Sequence, residues 1–288
     1  MAKKISNEQL ENDYETVDQS TQPVIKRRAK KLITNILSDG GSVGKTTLAI
    51  GIKEMFNDQQ KKTGIVNSAF FNLDDTNNKF MDLYAQIDET GQPLPREEQD
   101  PLVSVGFIDL ATQSDKVIDT QDLDVDYIIL DYPARGARSQ VDTFGHAAKF
   151  VRSFRKSDLR YMIPLATYKD IQTIERIYDM VDSVDSKGYV DFVFVFQHGL
   201  IKQSFFEEFE SNPKVNALKQ KYPFTEVHIK TLFKDKFSNN LLKQKWFDSY
   251  YGEKLDRVSE MTMELLLKEY VTQIAPLYDL PDQFKEID

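Results

Sequence analysis

"LITNILSDGGSVGKTTLAIGIKEMF", residues 32–56, runs from an apolar segment through a glycine-rich turn into a helical pattern. Leu32, Ile33, Ile36 and Leu37 surround the β-branched Thr34 and are followed by turn residues, which predicts a short buried strand. Leu48, Ile52, Met55 and Phe56 then recur at helical spacing. The expected local structure is strand, loop, helix, with the loop at the positive end of the helix. Gly40 and Gly41 allow close backbone approach, so the N–H groups of residues 41–46 can converge on an anion.

The pattern for a phosphate loop is Gly, four residues, then Gly-Lys-Ser/Thr. Gly44, Lys45 and Thr46 fill its second half, whereas Asp39 stands where the first glycine belongs. An aspartate can enter the left-handed backbone region at modest cost, but its carboxylate must point away from phosphates or repel them. The candidate nucleotide-binding residues are Gly40, Gly41, Ser42, Val43, Gly44, Lys45, Thr46 and Thr47. In this reading Lys45 bridges the β- and γ-phosphates, the Thr46 hydroxyl ligates Mg²⁺ and Thr47 serves the α-phosphate.

The strand–helix alternation continues along the chain. "IVNSAFFNLD", "VSVGFIDLA" and "VDYIILDYP" read as the second to fourth strands, and a helical stretch is expected from about Ser139 to Phe154. "LRYMIPLA", the helical "KDIQTIERIYDMVDSVDSKG" and the continuous "VDFVFVFQHG" follow; "FTEVHIKTLF" supplies a last strand and "RVSEMTMELLLKEYVTQIAPL" a closing amphipathic helix. Near-unbroken apolar strands between amphipathic helices predict an α/β fold with a mostly parallel, doubly wound sheet flanked by helices. Residues 1–24 are polar and read as a flexible or peripheral segment, with 25–288 as one domain.

In such sheets the ligand lies beyond the carboxyl ends of the strands. "FFNLDDTNN" places Asp74 and Asp75 at one strand end and "YIILDYPARG" places Asp131 at another. Asp131 has the placement of a carboxylate that holds the Mg²⁺ water shell, and Asp74 that of a group that orients attacking water. Lys45, Asp74 and Asp131 are therefore the candidate catalytic set, with Thr46 and Asp131 at the metal.

Composition limits the alternatives. With 288 residues, 40% of them hydrophobic, the chain can bury a two-sided core. The absence of cysteine rules out disulfides, thiolate metal sites and cysteine nucleophiles, and a cytoplasmic setting is expected. The formal charge of -9 argues against wholesale coating of DNA or anionic membrane, and no run approaches the roughly 20 apolar residues of a membrane span. "VIKRRAKK", "RSFRKSDLR" and "LFKDKFSNNLLKQKW" are basic stretches that could touch DNA phosphates locally. His146, His198 and His228 are scattered without metal-ligand spacing.

Taken together, "GGSVGKTT", "NLDDTNN", "YIILDYPARG" and "MIPLATYKDIQTIERI" resemble the MinD/ParA family of deviant phosphate-loop ATPases, over about residues 32–235. The resemblance implies an ATP- and Mg²⁺-dependent switch, an ATP-dependent homodimer and a role in plasmid or DNA segregation, maintenance or conjugative transfer. Nonspecific DNA or a DNA-binding adaptor would be its partner, with no membrane anchor. It places the hydrolytic carboxylate on Asp74, the magnesium-side carboxylate on Asp131 and adenine contacts near Gln197 and His198. The family's signature lysine, which reaches a partner's phosphates, falls on Gly40 here, so slow hydrolysis or a substitute cation is expected. Arg135 and Arg138 are the candidate substitutes. A nucleotide-binding regulator without hydrolysis and an ATP-dependent metabolic enzyme are the alternatives.

Overall fold

The computed structural model describes residues 28–41, 43–65, 67–144, 147–230, 245–247 and 257–280. Strands β1 (Leu32–Ser38), β2 (Ser68–Asn72), β3 (Gly106–Phe107), β4 (Tyr127–Ala134), β5 (Asp158–Leu165), β6 (Val190–Gln197) and β7 (Phe224–Ile229) form one sheet in the order β3-β2-β4-β1-β5-β6-β7. Every pairing is parallel. Because β1 lies between β4 and β5, the chain changes direction across the sheet at the strand that feeds the glycine loop. That is where doubly wound sheets open a crevice.

Alternation along β1 builds both layers of the core. Leu32 and Ile36 face one side, with Phe70, Ile129, Met162, Val193 and Val195, beneath α1 (Lys45–Thr63) and the closing helix, α9 (Arg257–Gln273). Ile33 and Leu37 face the other, with Ile128, Leu130, Tyr161, Ile163, Phe192, Phe194 and Phe196. That second layer is covered by α4 (Gly136–Phe144), α5 (Ala147–Ser153), α6 (Tyr168–Asp182), α7 (Gln203–Ser211) and α8 (Pro213–Lys221). The short helices α2 (Lys79–Tyr84) and α3 (Ser114–Asp119) lie in the connections that lead to β3 and β4. Burial on both faces is why β4 and β6 read as almost unbroken apolar runs.

Three sequence expectations change. The third strand is only Gly106–Phe107, paired with Phe71 and Asn72 at the sheet edge. Its apolar neighbours divide their roles: Val105 is buried, but Val103 is 59% exposed. The helix expected from Ser139 starts at Gly136 instead, because Arg135 makes the turn in the left-handed region at φ 66° and its carbonyl already accepts from the Ser139 N–H at 2.8 Å. That stretch is also two helices, α4 and α5, joined by a Phe144–Phe150 contact at 4.7 Å between ring centroids. The expected strand "FTEVHIKTLF" is β7 through Ile229, and its end from residue 231 lies outside the described residues, as do residues 1–24.

Candidate functional site

The strand register brings the candidate carboxylates to the loop. Ile36 of β1 pairs with Asp131 of β4, and Asn72 of β2 pairs with the same Asp131. The Leu73 N–H donates to the Asp131 carbonyl at 2.9 Å, which holds the turn carrying Asp74 against the end of β4. β1 shifts register between Ile36 and Ser38, the point at which the chain leaves the ladder for the loop.

Gly44 closes the loop at φ 88°, in the region glycine enters without a Cβ penalty. It also serves as the N-cap of α1, and no side chain caps that helix or places an acid in its first turn. The first amides of α1 therefore have no side-chain acceptor, the arrangement that favours an incoming anion. The Lys45 side chain folds back, and its Nζ donates to the Gly40 carbonyl at 2.8 Å. Lys45 is only 9% exposed, and burial lowers its pKa against the opposing pull of Asp131, Asp170, Asp74 and Asp39.

Asp131 lies opposite in a dry setting, 2% exposed. Burial pushes its carboxyl up to about 7, against the Lys45 ammonium and a hydrogen bond with the Thr46 hydroxyl; the nearby Asp74 charge pushes it further up. Its Oδ1 is buried without a hydrogen-bond partner. A divalent cation would satisfy that oxygen and favour the ionised form, so the donors present fit Mg²⁺: the Thr46 hydroxyl, the Asp131 carboxylate through water, and phosphate oxygens of a ligand. Among the described residues no three His, Cys, Asp or Glu side chains gather into a site that could hold a metal on their own.

Asp74 is held locally. Its Oδ1 accepts from the Thr76 N–H at 3.0 Å and the Thr76 hydroxyl at 2.6 Å, while the Asp74 N–H donates to Asn72 Oδ1 at 3.1 Å. Asn77, on the same turn, reaches Thr46 Oγ1 with its Nδ2 at 3.4 Å. The turn after β2 is thus tied to the start of α1. Asp75, its neighbour, is exposed.

The remaining candidates divide. Gln197, 6% exposed at the end of β6, lies against Gly44: a Cβ built there would be 3.3 Å from Gln197 Nε2. His198 turns instead toward the sheet edge, with its Nε2 2.9 Å from His228 Nδ1. Desolvation and the His228 charge lower the His198 pKa. The two histidines, 30 residues apart in sequence, form a pair that spacing did not reveal. His146 and Ser42 lie outside the described residues. Arg135 is exposed, and Arg138 is 3.5 Å from Asp142 on its own helix; among the described residues neither forms an ion pair with the loop.

The residues that sequence reasoning missed are on α6. Asp170 Oδ1 accepts the Ser38 hydroxyl proton, and Ser38 Oγ accepts from the Gly40 N–H at 2.9 Å. The Asp39 N–H donates to Thr173 Oγ1 at 2.8 Å, and Arg176 forms an ion pair with Asp39 Oδ2. The aspartate in the first-glycine position is therefore turned onto α6. The capping spacing of Thr167 and Asp170 was readable as a helix start; their approach to β1 depends on the β5–α6 crossover.

No family model and no curated protein matches the chain. Solved structures similar to it include a Cyanothece McdA variant in complex with ATP, at 15% identity and TM-score 0.45, covering 83% of this chain and 96% of that one. The MinC:MinD cell division protein complex of Aquifex aeolicus matches at 14% identity and TM-score 0.41, covering 84% and 96%. Cobyrinic acid a,c-diamide synthase of Mycobacterium smegmatis, with a bound ATP analog and magnesium, matches at 10% identity and TM-score 0.37, covering 78% and 97%. Among the described residues no helix is long and apolar enough to cross a membrane.

Proposed function

We propose that the chain is an ATP-binding switch that dimerises with nucleotide, hydrolyses it slowly and acts in plasmid or DNA segregation. The observation that carries this reading is the buried pair at the loop: Lys45 folded onto Gly40, beside Asp131 with an unpartnered Oδ1, at an uncapped helix N-terminus. Bound Mg²⁺ would neutralise charge on the phosphate oxygens. The chain itself supplies the amides of residues 41–46, the Lys45 ammonium, the Thr46 hydroxyl and the Asp131 carboxylate, with Asp74 placed to orient water and Gln197 beside Gly44.

Slow turnover fits the loop. A Cβ on Gly40 would lie 2.6 Å from Asp170 Oδ1 and 2.8 Å from Val43 Cγ1, so this backbone has no room for the signature lysine of the family it resembles. The same observation favours the second reading, a nucleotide-binding regulator without hydrolysis. For the DNA partner, support comes from Lys149, Arg152, Arg155 and Lys156, which line an open cavity of about 850 Å³ near the start of β5. All four are exposed, in a lining they share with Asp122, and their charge favours contact with phosphates.

Sedimentation with ATP and Mg²⁺, run beside a phosphate-release assay, tests the switch. Wild type is expected to dimerise with ATP and return to monomer as phosphate appears, whereas Asp74→Ala remains dimeric. Dimers with no phosphate release, in the presence of DNA, would favour the regulator; an unchanged monomer with bound ATP would contradict the switch.

A further inference from the structure

We infer that Arg176 is a positioning residue that holds the Asp39 carboxylate away from the phosphate cradle, an inference resting on the nucleotide-binding reading of the loop. The geometry is a three-point clamp. Asp170, Thr173 and Arg176 are spaced i, i+3 along α6, so each is a surface neighbour of the next. They engage consecutive residues of the chain leaving β1: Asp170 takes the Ser38 hydroxyl, which in turn holds the Gly40 N–H; Thr173 takes the Asp39 N–H; Arg176 takes the Asp39 carboxylate.

The first two contacts set the backbone and are internally satisfied. Asp170 is fully buried, and its Oδ2 also accepts from the N–H groups of Ala166 at 2.9 Å and Thr167 at 2.7 Å. Thr173, also fully buried, donates its hydroxyl hydrogen bond to the Lys169 carbonyl at 3.1 Å. The third contact differs in kind. The Asp39 side chain is 7% exposed, its Oδ1 has no hydrogen-bond partner, and its charge reaches the Lys45 ammonium. Arg176 is the cation paired with that carboxylate, and it approaches from the half-exposed side of α6, at 46% exposure. Remove it, and an almost buried carboxylate stands uncompensated beside the place where a triphosphate would bring several negative charges.

This accounts for an acid in a loop built for anions. The Asp39–Arg176 pair contributes little net charge at the cradle while it stands, and fixes the loop's first turn against α6. Among the described residues, Arg176 forms no hydrogen bond or ion pair with the loop residues proposed to hold phosphate, so its proposed effect on nucleotide passes through Asp39.

The test is calorimetric titration of ATP with Mg²⁺, and separately of ADP, into wild type, Arg176→Ala, Asp39→Asn and the double variant, at low and moderate salt. Arg176→Ala is expected to weaken ATP at low salt by about tenfold or more, ADP less, and salt should shrink the loss. Arg176→Lys should retain part of the affinity. The double variant should recover close to wild-type affinity, because the neutral amide in place of the Asp39 carboxylate no longer needs a counter-ion. Equal affinity of wild type and Arg176→Ala overturns the inference alone, and so does a loss that Asp39→Asn does not rescue, which would mark Arg176 as merely structural. Should Arg176→Ala fail to fold, the single variant Asp39→Asn decides: it is expected to bind ATP at least as tightly as wild type, and weaker binding overturns the inference. A wild type that binds neither nucleotide overturns the nucleotide reading itself.

Discussion

Lys45 Nζ donates to the carbonyl of Gly40, five residues earlier, at 2.8 Å. The ammonium is therefore held by its own loop, and in the proposed complex a phosphate would take over the position of that carbonyl. The exchange replaces a bond to a neutral acceptor with charge-assisted bonds to an anion, roughly twice as strong. A triphosphate there would also offset the desolvation that lowers the lysine pKa, by supplying countercharge.

Gly44 tests whether the loop must keep its backbone turn. At φ 88°, any other residue is strained by about 1–2 kcal/mol, and a Cβ would press on Gln197 Nε2 at 3.3 Å. Gly44→Ala is expected to lower the thermal midpoint modestly and ATP affinity substantially. Calorimetric titration beside a melting curve checks this. Unaltered affinity in Gly44→Ala would mean that the loop does not need this conformation to bind.

Gly40 tests the missing lysine. Gly40→Lys restores the residue of the family pattern but places a Cβ against Asp170 Oδ1. The expected result is a less stable protein with no gain in phosphate release. A variant that melts at the wild-type temperature and hydrolyses ATP faster would show that the clamp on α6 yields readily.

Lys53 gives the pH dependence. It is buried in α1, over the rings of Phe70 at 4.6 Å and Tyr84 at 5.2 Å, and desolvation lowers its pKa to about 7 despite Glu54 beside it, with Lys245 adding to the fall. The unfolded chain holds this proton up to the ordinary lysine range, whereas the folded chain releases it near neutrality. Between these pH values the unfolded state binds more protons, so stability rises with pH, by at most roughly 1.4 kcal/mol per unit from this group. Lys53→Met is expected to stabilise the protein at neutral pH and to remove that rise between about pH 7 and 10. Denaturant midpoints measured across that range provide the check, and an unchanged slope would contradict the assignment.

What the sequence revealed, and what it hid, follows from the range over which each feature is determined. β4 and β6 were legible because burial on both faces makes their central side chains apolar, as in Ile128 to Leu130 and Phe192 to Phe196, and β1 because Leu32, Ile33, Ile36 and Leu37 flank a β-branched Thr34. The loop was legible because Gly44, Lys45 and Thr46 are contiguous. β3 misled because a run from Val103 to Leu110 is apolar in composition yet turns at a sheet edge, leaving Val103 in solvent. The α6 clamp was hidden because it joins residues 38–40 to residues 170–176 across a crossover, a contact that periodicity does not encode. Asp39 looked like an objection for the same reason: its partner lies 137 positions away.

The most direct measurement of the central claim is the affinity for ATP, with and without Mg²⁺, of wild type, Lys45→Ala and Asp131→Asn, with folding verified by melting curves. Wild type is expected to bind and to gain affinity from Mg²⁺; Lys45→Ala should lose on the order of 100-fold, and Asp131→Asn should keep ATP but lose the Mg²⁺ gain. A folded Lys45→Ala that binds ATP as tightly as wild type would contradict the account at its root.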